Sequence, residues 1–228
     1  MSRGVLPISG DARSVAFDES EGTLTAAGVR FTDPFDSSML IAKFKSDGSL
    51  AWSKDFDRTM GTPAIVAVDP ETGAVSAVST FFGPNGQSFS ALLLFSNGDE
   101  GWRTESIPGA AKTIMFLGNR LLVAGQLGPF DSTGAFGVIA FTREGNEEWR
   151  RTFRGTADFG LNAAAASVVD TEKGAVYVGG VIADNPTGPD MFVVGLASDG
   201  SDLHGVPGQP PLPQAISTVI APKATDWH

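Results

Sequence analysis

The chain has 228 residues, with 26 Asp and Glu against 16 Lys and Arg, a formal charge of -10, 28 Gly, 14 Pro and no Cys. Lack of cysteine excludes disulfides, thiolate zinc sites and a cysteine nucleophile. The acidic balance repels nucleic-acid phosphates, and Arg150, Arg151 and Arg154 form the only basic cluster. With 42% hydrophobic and 18% charged residues, the sequence belongs to a folded domain.

In chain order, Met1 to Ser9 carries too short an apolar stretch for a signal peptide, and Pro7 interrupts it. Residues Ser2 to Val15 resemble Arg103 to Met115, so Arg3 to Ile8 is expected to be the outer strand of a unit whose first part is missing. The rest is dominated by repetition, the mark of propellers and solenoids. One phrase ends Asp47-Gly48-Ser49-Leu50-Ala51-Trp52, and similar phrases end at Trp102 and Trp149; a fourth copy ends in His204. The first half of each unit repeats as well. Asp18 with Gly22, Asp69 with Gly73 and Asp170 with Gly174 each place an Asp four residues before a Gly, and unit three shortens this to Gly118-Asn119.

Asp or Asn beside Gly supplies the turn chemistry of hairpins, and the flanking apolar runs supply strands. The second unit predicts strands at 64–68, 74–80, 89–95 and 101–105. No long stretch keeps helical apolar spacing without a Gly, and the uncharged run Ala74 to Gly98 is broken by Gly83-Pro84-Asn85-Gly86, so it reads as two strands and a turn rather than a membrane span. The expected fold class is therefore all-β: a β-propeller of four-stranded antiparallel blades, with four full repeats at about 12–56, 62–106, 109–154 and 162–206, plus partial strands at both ends, in one domain over 1–228. The small residues Ala163 to Ala166 suit an innermost strand, and the tryptophans suit the outermost strand, wedged between neighbouring blades. Residues 205–213 hold four prolines and read as an extended tether, and 214–228 as an extra strand and tail.

These phrases, Asp-x-x-x-Gly and Lys43-Phe44-Lys45-Ser46-Asp47-Gly48-Ser49-Leu50-Ala51-Trp52, resemble the repeats of bacterial β-propeller proteins with blades of about 45–50 residues. The resemblance implies adhesion or protein binding and an exported or surface setting, whereas the intact Met1 and missing signal point to the cytoplasm. Asp69-Pro70-Glu71-Thr72-Gly73 also echoes the tryptophan-docking repeat of quinoprotein dehydrogenases, but no Trp follows that Gly at the required distance.

Little catalytic chemistry is legible. The only histidines are His204, in a tryptophan's place, and the terminal His228, so a Ser-His triad has no evident base. Zinc, P-loop and dinucleotide motifs are absent, and no cofactor is expected. Calcium is the one metal the acidic loops admit, with Asp36, Asp131 and Asp190 as the candidate ligands in equivalent turns. Recurrence there also fits a repeated structural turn. Phe35, Phe130 and Trp227 are the candidate interaction residues. The expected role is a non-enzymatic interaction or structural accessory subunit that meets another protein through a rim or an unpaired edge strand, with a peripheral membrane assembly compatible with it. The alternative is a carbohydrate- or calcium-dependent ligand-binding module. Three assemblies follow from the unmatched end strands: a closed four-bladed ring, a two-chain ring of about eight blades, or a chain docked edge-on to another subunit.

Overall fold

The computed structural model describes residues 10–33, 36–56, 65–83, 86–129, 134–157, 161–185 and 187–203. The predicted end strands, the Pro-rich tether, His204, Trp227, Phe35, Phe130 and Asp131 lie outside the described residues. All regular structure among the described residues is β, paired antiparallel.

The first sheet is a meander of β1 (Gly10–Asp18), β2 (Thr23–Asp33), β3 (Asp36–Phe44) and β4 (Leu50–Phe56). A larger sheet follows, built from β5 (Ile65–Val68), β6 (Val75–Gly83), β7 (Gly86–Leu94) and β8 (Glu100–Arg103), then β9 (Ile107–Leu117), β10 (Arg120–Leu127), β11 (Ala135–Phe141) and β12 (Glu147–Phe153). A last sheet holds β13 (Ala163–Asp170), β14 (Ala175–Asp184) and β15 (Gly188–Ala197). Beside β15, a single bridge pairs Leu196 with Asp202, and the Leu203 N–H donates to the Gly195 carbonyl at 3.0 Å.

Two turn types generate these meanders. After the first strand of the second repeat, the Asp69 N–H donates to the Ala74 carbonyl (2.8 Å) and the Gly73 N–H returns to the Asp69 carbonyl (2.9 Å). Between third and fourth strands a pair of bonds one residue shorter occurs four times, as in Phe95 N–H to Asp99 O and Gly98 N–H to Phe95 O, both 2.8 Å. Gly98 has φ +89° there, a conformation that costs glycine nothing and strains other residues.

The second repeat shows where the sequence reading is displaced. The β6–β7 ladder runs on to the pair Gly83–Gly86, so both strands extend through glycines that the reading assigned to the turn. The chain leaving β8 also stays on the edge of β7: β9 starts by pairing Ile107 with Phe89 and Pro108 with Ser88. That shared edge merges two repeats into one hydrogen-bonded sheet. Of the four consecutive alanines, Ala163 and Ala164 are buried, while Ala165 and Ala166 face solvent.

Three apolar layers hold the sheets together, two between neighbouring sheets and one within the β5–β12 sheet. The first joins Met39, Ile41 and Phe56 to Val66, Val75, Leu92 and Leu94. The second joins Val78, Phe89 and Leu93 to Ile114, Phe116, Val123 and Ile139. The third joins Phe136 and Val138 to Val176, Val178, Phe192 and Leu196. Each wholly buried Phe, Ile or Leu contributes about 1.5–3 kcal/mol through removal from water, which makes these layers the main source of stability. No strand of the first sheet pairs with the last among the described residues, so the sheets do not close on one another.

Candidate interaction surfaces

At the hairpin acids that the sequence assigns to turns, the structure shows turn chemistry. The buried Asp18 carboxylate accepts from the Ser20 N–H (3.0 Å), the Ser20 hydroxyl (2.6 Å) and the Glu21 N–H (3.3 Å). Burial alone pushes the Asp18 carboxyl up, but those bonds and Lys43, at 4.0 Å, outweigh it and hold the group below its ordinary value. Asp69 accepts from the Glu71 N–H and the Thr72 hydroxyl, and Asp170 from the Lys173 N–H. In the second turn type, Ser49 holds the Asp47 carboxyl below its ordinary value through hydrogen bonds, and Ser201 does the same for Asp199.

Of the candidate calcium ligands, Asp190 lies on β15 and accepts from the Thr187 hydroxyl at 2.6 Å. Asp36 opens β3, and Asp131 is outside the described residues together with Phe35, Phe130 and Trp227. Among the described residues no group of three or more His, Cys, Asp or Glu side chains converges as a metal site.

Tryptophans clamp successive sheet layers together. Trp52 on β4 donates its Nε1–H to the Ser96 carbonyl at 2.9 Å, Trp102 on β8 donates to Arg143 at 2.7 Å, and Trp149 on β12 donates to Ser198 at 3.0 Å. Each acceptor belongs to the third-to-fourth strand turn of the next repeat, and each indole lies on that turn's glycine. A Cβ added at Gly98 would come within 2.9 Å of Trp52, and one added at Gly145 or Gly200 within 2.7 Å of Trp102 or Trp149. The glycines therefore serve twice, giving the turn its positive φ and leaving room for an indole. Spacing reveals that Trp and Gly recur; it does not show that each Trp reaches the turn of the following repeat.

Ion pairs reinforce the same joints. Arg143 reaches back to Asp69 (3.1 Å) and Glu71 (2.6 Å), Lys54 lies 3.9 Å from Asp99, and Arg151 lies 3.0 Å from Asp202. Lys43, almost wholly buried, meets Glu21 at 2.9 Å.

Among the described residues, the outer faces of the first and last sheets have no such cover. Phe17 opposes Leu24, Leu24 opposes Phe44, and Phe44 opposes Leu50, so an apolar row crosses all four strands of the first sheet. Phe17 is 60% exposed, with Val15, Leu24 and Leu50 also exposed beside it. On the last sheet Val168, 62% exposed, is accompanied by Met191 and Val193. Isolated exposed hydrophobics are ordinary, but contiguous apolar faces mark contact surfaces. Composition and repeat spacing did not single out either face, because their residues alternate just as core residues do.

No protein-family model matches the sequence, and no curated protein matches it. The backbone is similar to the β-propeller domain of the Trilobed protease from Pyrococcus furiosus, which has an open velcro topology, with TM-score 0.54 and 6% identity over 85% of this chain and 56% of that one. It is also similar to a subtype N10 neuraminidase-like protein of A/little yellow-shouldered bat/Guatemala/060/2010, with TM-score 0.53 and 13% identity over 85% of this chain and 58% of that one. A subtype N11 neuraminidase-like protein of A/flat-faced bat/Peru/033/2010 gives TM-score 0.53 and 10% identity over 88% of this chain and 54% of that one. At these identities the likeness shows the fold alone, a β-propeller. The chain spans little more than half the length of these structures.

Proposed function

We propose that this β-propeller chain is a non-enzymatic docking module. In this reading it contributes four blades, with partial strands at both ends, as a structural or protein-interaction subunit. Rigid stacked sheets hold two apolar end faces apart, and those faces, rather than a pocket or a carboxylate cluster, bind a partner. The observation that carries the reading is the uncovered apolar row from Phe17 to Leu50 at one end, together with Val168, Met191 and Val193 at the other. Burying such residues against protein is worth roughly 25 cal/mol for each square ångström of apolar surface removed from water. A partner anchored at a membrane surface would bring the chain there peripherally; among the described residues no helix is long and apolar enough to cross a membrane itself.

Sedimentation of the purified chain across a concentration series tests this, alongside the variants Phe17→Asp and Val168→Asp. The reading expects association that either charge weakens while the melting temperature of the dilute protein is unchanged. A chain that is monomeric at every concentration and does not take up a hydrophobic dye would overturn it.

A further inference from the structure

We propose that the joint between the first sheet and the second repeat holds an ordered internal water, in a site built by Asp18, Thr23, Thr25 and Lys43. This goes beyond the docking reading and does not depend on it. All four side chains share one face of the first sheet, because cross-strand partners point the same way. Asp18 opposes Thr23 across β1 and β2, and Thr25 opposes Lys43 across β2 and β3. Ala27 and Ile41 continue that face into the apolar layer shared with the second repeat. Its polar end is out of solvent: Asp18 and Lys43 are each 2% exposed, and Thr25 is wholly buried.

Three oxygens there, Asp18 Oδ2, Thr23 Oγ1 and Thr25 Oγ1, have no hydrogen-bond partner within the protein. The Lys43 ammonium donates to Glu21 at 2.9 Å and lies 4.0 Å from Asp18 Oδ2, too far for a direct hydrogen bond. An ammonium has three donors, so the bond to Glu21 leaves donors for a bridging molecule. Buried polar groups left without partners are costly, and internal water meets that need where a site is polar on several sides. Equivalent positions at the later joints have no such need. Superposing Gly48 on Gly98 and on Gly145 puts Lys43 where Leu93 and Ala140 stand, each buried in an apolar layer. Superposing Asp18 on Asp69 puts Thr25 where Ser76 stands, and the Ser76 hydroxyl donates to the Leu92 carbonyl at 2.7 Å.

Charge decides the class of ligand. An anion would meet the carboxylates of Asp18 and Glu21, and a cation would meet the ammonium of Lys43. A neutral molecule that both donates and accepts suits all of them: it accepts from Lys43, donates to Asp18 Oδ2, and completes about three bonds with a threonine hydroxyl. Two hydrogen bonds of about 2.8 Å span the 4.0 Å gap with roughly a right angle at the water oxygen. The Gly73 turn of the second repeat roofs the acids, since a Cβ there would lie 3.3 Å from Asp18 Oδ2 and 3.8 Å from Glu21 Cδ. Trp52, opposite Lys43, closes the same face. Those close approaches suit a molecule of water's size.

Oxygen-17 magnetic relaxation dispersion tests the site, because it counts water molecules held longer than the protein's tumbling time and is blind to exchanging hydroxyl and ammonium protons. The full chain, Thr25→Val, Thr25→Ser and Ser76→Ala are compared at one protein concentration. Valine keeps the shape and strand preference of threonine, so the variant retains the fold. The expected result is an amplitude lower by about one water in Thr25→Val. Thr25→Ser, which keeps a hydroxyl, restores it, and Ser76→Ala, whose hydroxyl has a partner in the protein, leaves it unchanged. Lys43→Met removes the bridging donor by a second route and is expected to lose the same water. Equal amplitudes in the parent, Thr25→Val and Lys43→Met would overturn the proposal. So would a loss that Thr25→Ser fails to restore, or an equal loss in Ser76→Ala, which would mark general loosening of the sheets.

Discussion

The middle of the molecule and its two ends are built from the same repeat, yet they stand in opposite physical situations. The β5–β12 sheet has apolar residues packed on both faces, in one layer shared with β1–β4, one formed within the sheet and one shared with β13–β15. Among the described residues, the end sheets bury one face each and leave the other apolar and exposed. The comparison teaches that a repeat of this kind specifies half-junctions: its sequence makes both faces apolar wherever it stands, and only the neighbouring unit decides which are buried.

The sharpest way to break the comparison is to delete equivalent bulk in the two settings. Phe136 is wholly buried, edge-on to Phe192 with ring centroids 4.8 Å apart and to Phe153 at 5.9 Å. Phe136→Ala is expected to cost about 3–5 kcal/mol in chemical denaturation, because it leaves a cavity in the third layer. Met191→Ala, at the register-equivalent position on the open face, is expected to change the stability of the dilute chain by less than about 0.5 kcal/mol. Equal losses at the two positions would mean that the open face is covered within the monomer.

A smaller effect separates turn strain from indole packing. Gly145→Ala places a methyl group 2.7 Å from the Trp102 ring and also forces a side chain into φ +86°. Gly188→Ala imposes φ +87° with nothing within 4 Å of the new methyl. The strain alone is worth about 1–2 kcal/mol, so Gly188→Ala measures it. The excess loss in Gly145→Ala then measures the joint, and thermal melting of the two variants checks whether that excess exists.

The legible part of the molecule is the part that local rules control. Asp18, Asp69 and Asp170 ahead of their glycines marked hairpins, and each stands at the mouth of one: Asp18 ends β1, Asp69 follows β5 and Asp170 ends β13. The strands of the second repeat are displaced by only a few residues, at Gly83 and Gly86 where pairing continues to the end of the hairpin. Joints between repeats were legible only as tryptophans wedged between neighbours, not in which turn or edge each joint engages. That Trp102 reaches Arg143, or that Ile107 adds to the edge of β7, depends on how one meander lies on the next, and no spacing within a single repeat encodes that. The candidate site was legible least of all. Acids and loop aromatics draw attention in a sequence, whereas Val15, Met191 and Val193 alternate like any core residue and are distinguished only by their exposure among the described residues.

The smallest expected effect concerns the polar side of the same joints and works through pH. Asp18 and Asp69 occupy equivalent hairpins, but Asp69 is met by Arg143 from the following repeat at 3.1 Å, whereas Asp18 depends on its own sheet, through Ser20, Glu21 and, at 4.0 Å, Lys43. Because the folded-state pKa of Asp18 lies below the ordinary 3.8, its ionised form stabilises the fold above that value. The stabilisation is lost as pH falls through the depressed folded value. Asp18→Asn keeps an oxygen to accept from Ser20 and Glu21, and Lys43 keeps Glu21 at 2.9 Å, so the variant is expected to fold with slightly lower stability at neutral pH. Its stability should then fall less steeply than that of the parent as pH drops below the ordinary carboxylate value, because only the parent takes up a proton there. Parallel acid limbs for parent and variant in pH-dependent denaturation would show that the hairpin charge does not hold the end sheet in place, and that the apolar layer beneath it suffices.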